Sequence, residues 1–119
     1  MTSAIIAGGR HYSFTYEDIL FLADIRKSQD ITEVISRGAD AFDAHAETWA
    51  TRHGIPIRRF PANWKRHGRR AGPIRNGEMA RHADICIIFP GGRKDITSLR
   101  NIATANALII FDSKQPWLF

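Results

Sequence analysis

A single cysteine, Cys86, leaves the chain unable to close an internal disulfide. It lies inside the apolar run "ADICIIF", Ala83 to Phe89, and reads there as a buried structural thiol rather than a nucleophile. Long hydrophobic runs are missing too. None approaches the about 20 residues that cross a bilayer, and no basic-then-apolar leader stands at the start. These absences lead to the expectation of a cytoplasmic protein with no membrane partner. Metal chemistry finds no support either. The five histidines show no HxxxH spacing and there is no cysteine pair, so no metal site is expected. Spacing picks out no Ser/His/Asp arrangement. Repeats, low-complexity tracts and linkers are absent as well, which points to one domain over residues 1–119.

What is present suffices for a core. The chain has 119 residues, 44% of them hydrophobic, enough to fold without staples. Its net charge of +5 admits an anionic partner, whether nucleotide, nucleic acid or acidic protein. The charge is uneven. Arg58, Arg59, Lys65, Arg66, Arg69, Arg70 and Arg75 crowd one stretch together with His67, whereas the first third of the chain is close to balanced.

Apolar runs and helical stripes alternate along the chain. A first strand is expected around Ala4 to Ala7, followed by paired glycines. "TYEDILFLADIRK" then brings Ile19, Leu22, Ala23 and Ile25 near helical spacing, with Thr15 and Asp18 as a capping pair. The β-branched "ITEVI", Ile31 to Ile35, is a second strand. In the alanine-rich stretch that follows, Phe42, Ala46, Trp49, Ala50 and His53 form one helical stripe, and Gly54 stands where a helix stops. "IPIRRF" is a third strand. "PANWKRHGRRAGP" reads as a loop from its prolines, glycines and charge. A short helix, "IRNGEMARHA", precedes the fourth strand, "DICIIF"; a helix over "ITSLRNIATAN" precedes the fifth, "ALIIF". This alternation predicts a parallel sheet with helices on both faces.

In such sheets ligands bind beyond the carboxyl ends of the strands, at the point where the strand order reverses. The unusual residues gather there: Gly8-Gly9-Arg10 after strand one, Ser36-Arg37-Gly38 after strand two, Pro90-Gly91-Gly92-Arg93 after strand four. The basic loop follows strand three. Glycines in these turns let backbone N–H groups approach a phosphate.

The strings "GGR", "GAD", "FPANWKRHGRRAGPIRNGEMA" and "FPGGR" occur in an order that resembles the small YspA-like branch of the SLOG superfamily, over about residues 4 to 112. The resemblance implies a Rossmann-like, doubly wound sheet of about five parallel strands. It also implies a ligand class, a nucleotide or nucleotide-derived small molecule, and no cofactor. The superfamily includes the lonely-guy phosphoribohydrolases, which cleave cytokinin nucleotides, but the YspA-like branch has no settled activity. Related families dimerise, and the tail "PWLF" is apolar, so a homodimer is expected.

Carried over residue by residue, the resemblance makes Arg75, in "RNGEM", the leading candidate for gripping a phosphate or ribose. Asn76 is read either as a partner of a sugar hydroxyl or as a helix cap. Gly8, Gly9, Arg10, Ser36, Gly38, Gly91, Gly92 and Arg93 complete the expected ligand-binding set with Asp43. The gap-free register to Trp49 puts the family's acid at Asp43 rather than Asp40, with Arg37 and Ala41 in place of glycines. After the PGG turn the family continues Gly-Thr; here stand Lys94 and Asp95. Asp95 is expected to act as the N-cap of the following helix, accepting from the N–H of Thr97 or Ser98 and so taking the anion's place. Trp64 is either a packing plug beneath the basic loop or a surface for stacking a base. The glutamate that phosphoribohydrolases need, six places after the second glycine, is replaced by Ser98, so binding is favoured over glycosidic hydrolysis. Nucleic-acid binding by residues 58–75 is the further alternative.

Overall fold

The computed structural model describes residues 1–113, and of Arg93 the backbone alone. Five strands form one parallel sheet: β1 (Thr2–Ala7), β2 (Ile31–Ser36), β3 (Ile57–Arg59), β4 (Ile85–Ile88) and β5 (Ile109–Asp112). Their order is β3-β2-β1-β4-β5. The chain thus moves outward from β1 to one edge, crosses back, and fills the other side. The reversal falls between β1 and β4, whose following loops part in opposite directions and open a crevice.

The helices are α1 (Tyr16–Gln29), α2 (Ala41–Arg52), α3 (Trp64–His67), α4 (Ala71–His82) and α5 (Arg93–Ala105). Alternating strand residues feed two apolar layers. Ala4, Ile6, Val34, Ile85 and Ile87 meet Leu22 and Ile25 of α1 and Phe42, Ala46, Trp49 and Ala50 of α2. Ile5, Ala7, Ile35, Cys86 and Ile88 meet Met79 of α4 and Ile96, Leu99 and Ala103 of α5. Helices therefore cover both faces, and the expected Rossmann-like α/β fold is present. No helix among the described residues is long and apolar enough to cross a membrane.

Local signals set the helix starts. Thr15 and Asp18 form the expected capping box on α1: the Asp18 N–H donates to Thr15 Oγ1, and the Thr15 N–H donates to Asp18 Oδ2. Ile19 and Ala23, expected on its buried stripe, are exposed. A second box on α2 joins Asp40 and Asp43.

The stretch 61–73 corrects the sequence reading. From Trp64 onward it is helical, passing from α3 through a 3₁₀ turn at Gly68–Arg70 directly into α4. Asn63 caps α3 by accepting from the Arg66 N–H at 3.1 Å. Pro73 falls in the first turn of α4, where a missing N–H breaks no helical hydrogen bond. Proline and glycine were therefore start signals here, not loop signals.

Candidate functional site

A cleft of about 270 Å³ opens at the carboxyl edge of the sheet, between the β1 and β4 loops. The β1 loop contributes Gly8 and Arg10, and the β2 loop Arg37, Ala39 and Asp40. Trp64 of α3 and Arg75 of α4 form another wall, and Gly92 and Asp95 at the start of α5 close the ring.

The glycine loops pack against each other. The Gly9 N–H donates to the Pro90 carbonyl at 2.8 Å. A Cβ on Gly9 would lie 2.8 Å from Gly91 Cα, nearer than atoms tolerate. Beneath them Tyr12, Phe14, Phe42 and Phe89 form a cluster of ring contacts that supports the β1 loop. Gly92 is the N-cap of α5 at φ 64°, without a side-chain cap.

Arg37 is the centre of the site. It is only 4% exposed, and its whole guanidinium is engaged. Nε donates to Asp43 Oδ1 at 3.1 Å, Nη1 to Asp95 Oδ2 at 2.8 Å, and Nη2 to the Gly8 carbonyl at 2.9 Å. Asp40 adds a longer contact at 3.7 Å. One side chain thus ties the β1 loop, the β2 loop and α5 together. Burial pulls the Arg37 pKa down, but Asp43, Asp95 and Asp40 outweigh it and hold the pKa above its ordinary value. Burial pushes the Asp43 carboxyl up against the pull of Arg37.

Asp95 does not cap α5. It sits third in the helix, and its other oxygen, Oδ1, accepts from Asn76 Nδ2 at 3.1 Å and lies 3.6 Å from Arg75 Nη2. Burial raises this carboxyl, yet hydrogen bonds from Arg37 and Asn76 and the charges of Arg75 and Arg37 leave it below its usual value. The expected self-capping fails because two side chains from other elements reach the carboxylate first. Lys94 is exposed and forms no ion pair among the described residues; Arg37 neutralises Asp95 instead.

Arg75 is 5% exposed. Its Nε donates to Asn76 Oδ1 at 3.0 Å, while Nη1 is buried without a hydrogen-bond partner among the described residues. Burial lowers its pKa and Asp95 offsets only part of that, with Arg37 adding to the lowering. Asn76 is fully buried within α4. It therefore caps no helix and links Arg75 to Asp95. Ser98 Oγ lies 3.5 Å from Asn76 Nδ2.

The structure brings Gly8, Arg10, Arg75 and Gly92 to the cleft, with Asn76 behind it. Gly9 and Gly91 shape the loops. Ser36 lies outside the wall: its buried hydroxyl donates to Glu47 Oε2 at 2.8 Å and accepts from the Gly38 N–H. Gly38 packs beside Arg59. Asp43, 1% exposed, faces Arg37 and accepts from the Ala39 N–H at 2.9 Å. The Arg93 side chain lies outside the described residues. Sequence reasoning missed Arg37, Asp40 and Asp95 as members of one cluster. The available signal was a pair of opposite charges, Arg37 after β2 and Asp95 after the PGG turn.

Trp64 is 60% exposed at the rim, not a buried plug. The basic stretch divides. Arg58 pairs with Glu33 at 3.1 Å and Arg59 with Glu47 at 2.6 Å, while Arg75 is buried. Lys65, Arg66, Arg69 and Arg70 are exposed and form no ion pair among the described residues. Among the described residues no cluster of metal-ligating side chains occurs.

Comparison with known proteins places the chain. It is 39% identical over 66 residues to the Gene 61 protein of Mycobacterium phage D29, covering 50% of this chain and 53% of that protein. The chain thus matches about half the length of this curated relative. No solved structure matches it. A model of the YspA, cpYpsA-related SLOG family matches residues 3–67, more than half of the chain. The chain belongs to the YspA, cpYpsA-related SLOG family.

Proposed function

We propose that this domain binds a nucleotide or nucleotide-derived small molecule in the cleft between the β1 and β4 loops, as a sensor or sequestering protein. Arg75 carries this reading. A buried guanidinium nitrogen without an acceptor costs about 1–3 kcal/mol, and a ligand oxygen in the cleft removes that cost. Glycine backbone at Gly8 and Gly92 and the start of α5 line the same cleft, and Trp64 offers a ring face at its rim.

Binding is favoured over phosphoribohydrolase chemistry. Ser98 replaces the expected glutamate, and Asp95, the carboxylate nearest to that place in the chain, is engaged by Arg37 and Asn76. A carboxylate so held is a poor base or cation stabiliser.

Thermal shift with mononucleotides, dinucleotides and ADP-ribose-like compounds tests the proposal. A ligand of the native state raises the melting temperature. The expected outcome is a rise with at least one compound and a smaller rise, at the same concentration, with Arg75→Ala. A flat response across the panel overturns it.

A second reading rests on the exposed run Lys65, Arg66, Arg69 and Arg70 beside Trp64, in a chain with no Asp or Glu between Glu47 and Glu78. This face suits a single-stranded nucleic acid, with phosphates on the cations and a base on the indole. Its binding would fall steeply with salt; salt-insensitive or absent binding removes it.

A further inference from the structure

Resting on the ligand reading above and deepening it, we infer that Asp95 is an internal competitor, its carboxylate holding the position that a ligand's phosphate takes between Arg37 and Arg75. Asp95 lies in the first turn of a 13-residue helix whose N-cap, Gly92, offers no side chain to the N–H groups. An anion is stabilised there by the helix dipole. The carboxylate is held as a bound anion would be. Oδ2 accepts from Arg37 Nη1 at 2.8 Å, and Oδ1 accepts from Asn76 Nδ2 at 3.1 Å with Arg75 Nη2 at 3.6 Å.

Arg75 supplies the independent observation. Its side chain is 6% exposed, and Nη1 has no partner among the described residues. The two oxygens of a carboxylate are already used on Arg37 and Asn76. A terminal phosphate carries three oxygens and more charge, so it can meet the same donors and Nη1 besides.

Charge completes the case. Arg10, Arg37 and Arg75 line the cleft together with Asp40 and Asp95. Asp95 thus offsets part of the positive charge that draws an anion in. The Asp95 side chain is 33% exposed, so rotation toward solvent is open to it, and rotation leaves the two guanidinium groups to the incoming phosphate.

Titration calorimetry with inorganic pyrophosphate, at fixed low salt, tests this. Asp95→Asn keeps the shape and removes the charge. The variant should bind pyrophosphate about fivefold more tightly or better, and adding Arg75→Ala should abolish the gain. Circular dichroism and melting curves establish that each variant is folded; if Asp95→Asn does not fold, Asp95→Ser, which keeps an acceptor for Asn76, takes its place. A folded variant that binds pyrophosphate no better than wild type overturns the inference. So does a gain that survives Arg75→Ala, since the added affinity then lies elsewhere. The two readings fail separately. Nucleotide binding by wild type without a gain in the variant leaves the ligand reading and removes the competitor. A gain for pyrophosphate with no response to any nucleotide leaves the competitor and removes the nucleotide.

Discussion

Arg37 and Asp95, 58 residues apart in the chain, face each other at 2.8 Å beside the cleft. Each offsets part of the other's charge. Without Asp95, Arg37 would keep Asp43 and the longer contact to Asp40; without Arg37, Asp95 would keep, among the described residues, only the longer contact to Arg75 as counter-charge. Together they clamp α5 to the β2 loop.

Breaking this clamp should be costly. Arg37→Met leaves Asp43 without its cation and Asp95 with only the longer contact to Arg75, and removing one partner of a buried pair costs about 3–5 kcal/mol. Urea denaturation should show that loss. The double variant Arg37→Met with Asp95→Thr should lose less than the sum of the two single variants. Strict additivity would show that the pair carries no coupling.

Arg75→Ala should weaken any nucleotide that binds by about tenfold or more, the cost of a charge-assisted hydrogen bond. Arg75→Lys keeps a charge but lacks the planar fork, and should recover only part of the affinity. Isothermal titration with the tightest compound of the nucleotide panel reads both. Unchanged affinity in Arg75→Ala would move the ligand away from this residue.

Gly9→Ala should push the two glycine loops apart. The added methyl group meets Gly91 Cα and the Pro90 carbonyl, both at 2.8 Å, and overpacking of this kind costs about 1–3 kcal/mol. Chemical denaturation measures it. A stability equal to wild type would mean that the loops move apart freely.

Glu47 sets a pH dependence. Hydrogen bonds from Arg59, with one from Ser36, outweigh burial and hold its carboxyl below the ordinary 4.5. A depressed folded pKa gives stability that is present above the unfolded value and disappears as pH falls through the folded one. The stability difference between wild type and Glu47→Gln should therefore be steady above about pH 5.5 and shrink at lower pH. A difference that is the same at about pH 3 and pH 7 would contradict it.

We propose that the chain self-associates. The apolar tail on which the expectation rests lies outside the described residues, while Ile109 on the edge strand β5 is exposed. Light scattering on the order of tens of micromolar protein should report a dimer. A monomer at that concentration removes it.

The sheet was legible in the sequence because its strands are short apolar runs between helical stripes, and the Thr15–Asp18 box is a local signal. Residues 61–73 were misread because prolines, glycines and charge also occur at helix starts, as Asn63 and Pro73 do here. The site was legible only in part. Arg75, Gly8 and Gly92 could be carried over position by position. The joining of Arg37 to Asp95 could not, since a pair 58 residues apart exists only once β2 and α5 meet. The exposure of Trp64 was hidden for the same reason: it depends on where α3 sits against the cleft.

Cys86 has a practical consequence. It is fully buried in β4, between β1 and β5, and burial pushes its thiol up to about 12. It is the thiolate that attacks thiol reagents, so labelling must wait until the middle of the sheet opens. Being single, Cys86 gives one unambiguous signal. The rate of its modification under native conditions is a clock for that opening, and ligands of the cleft can be ranked by how far they slow it.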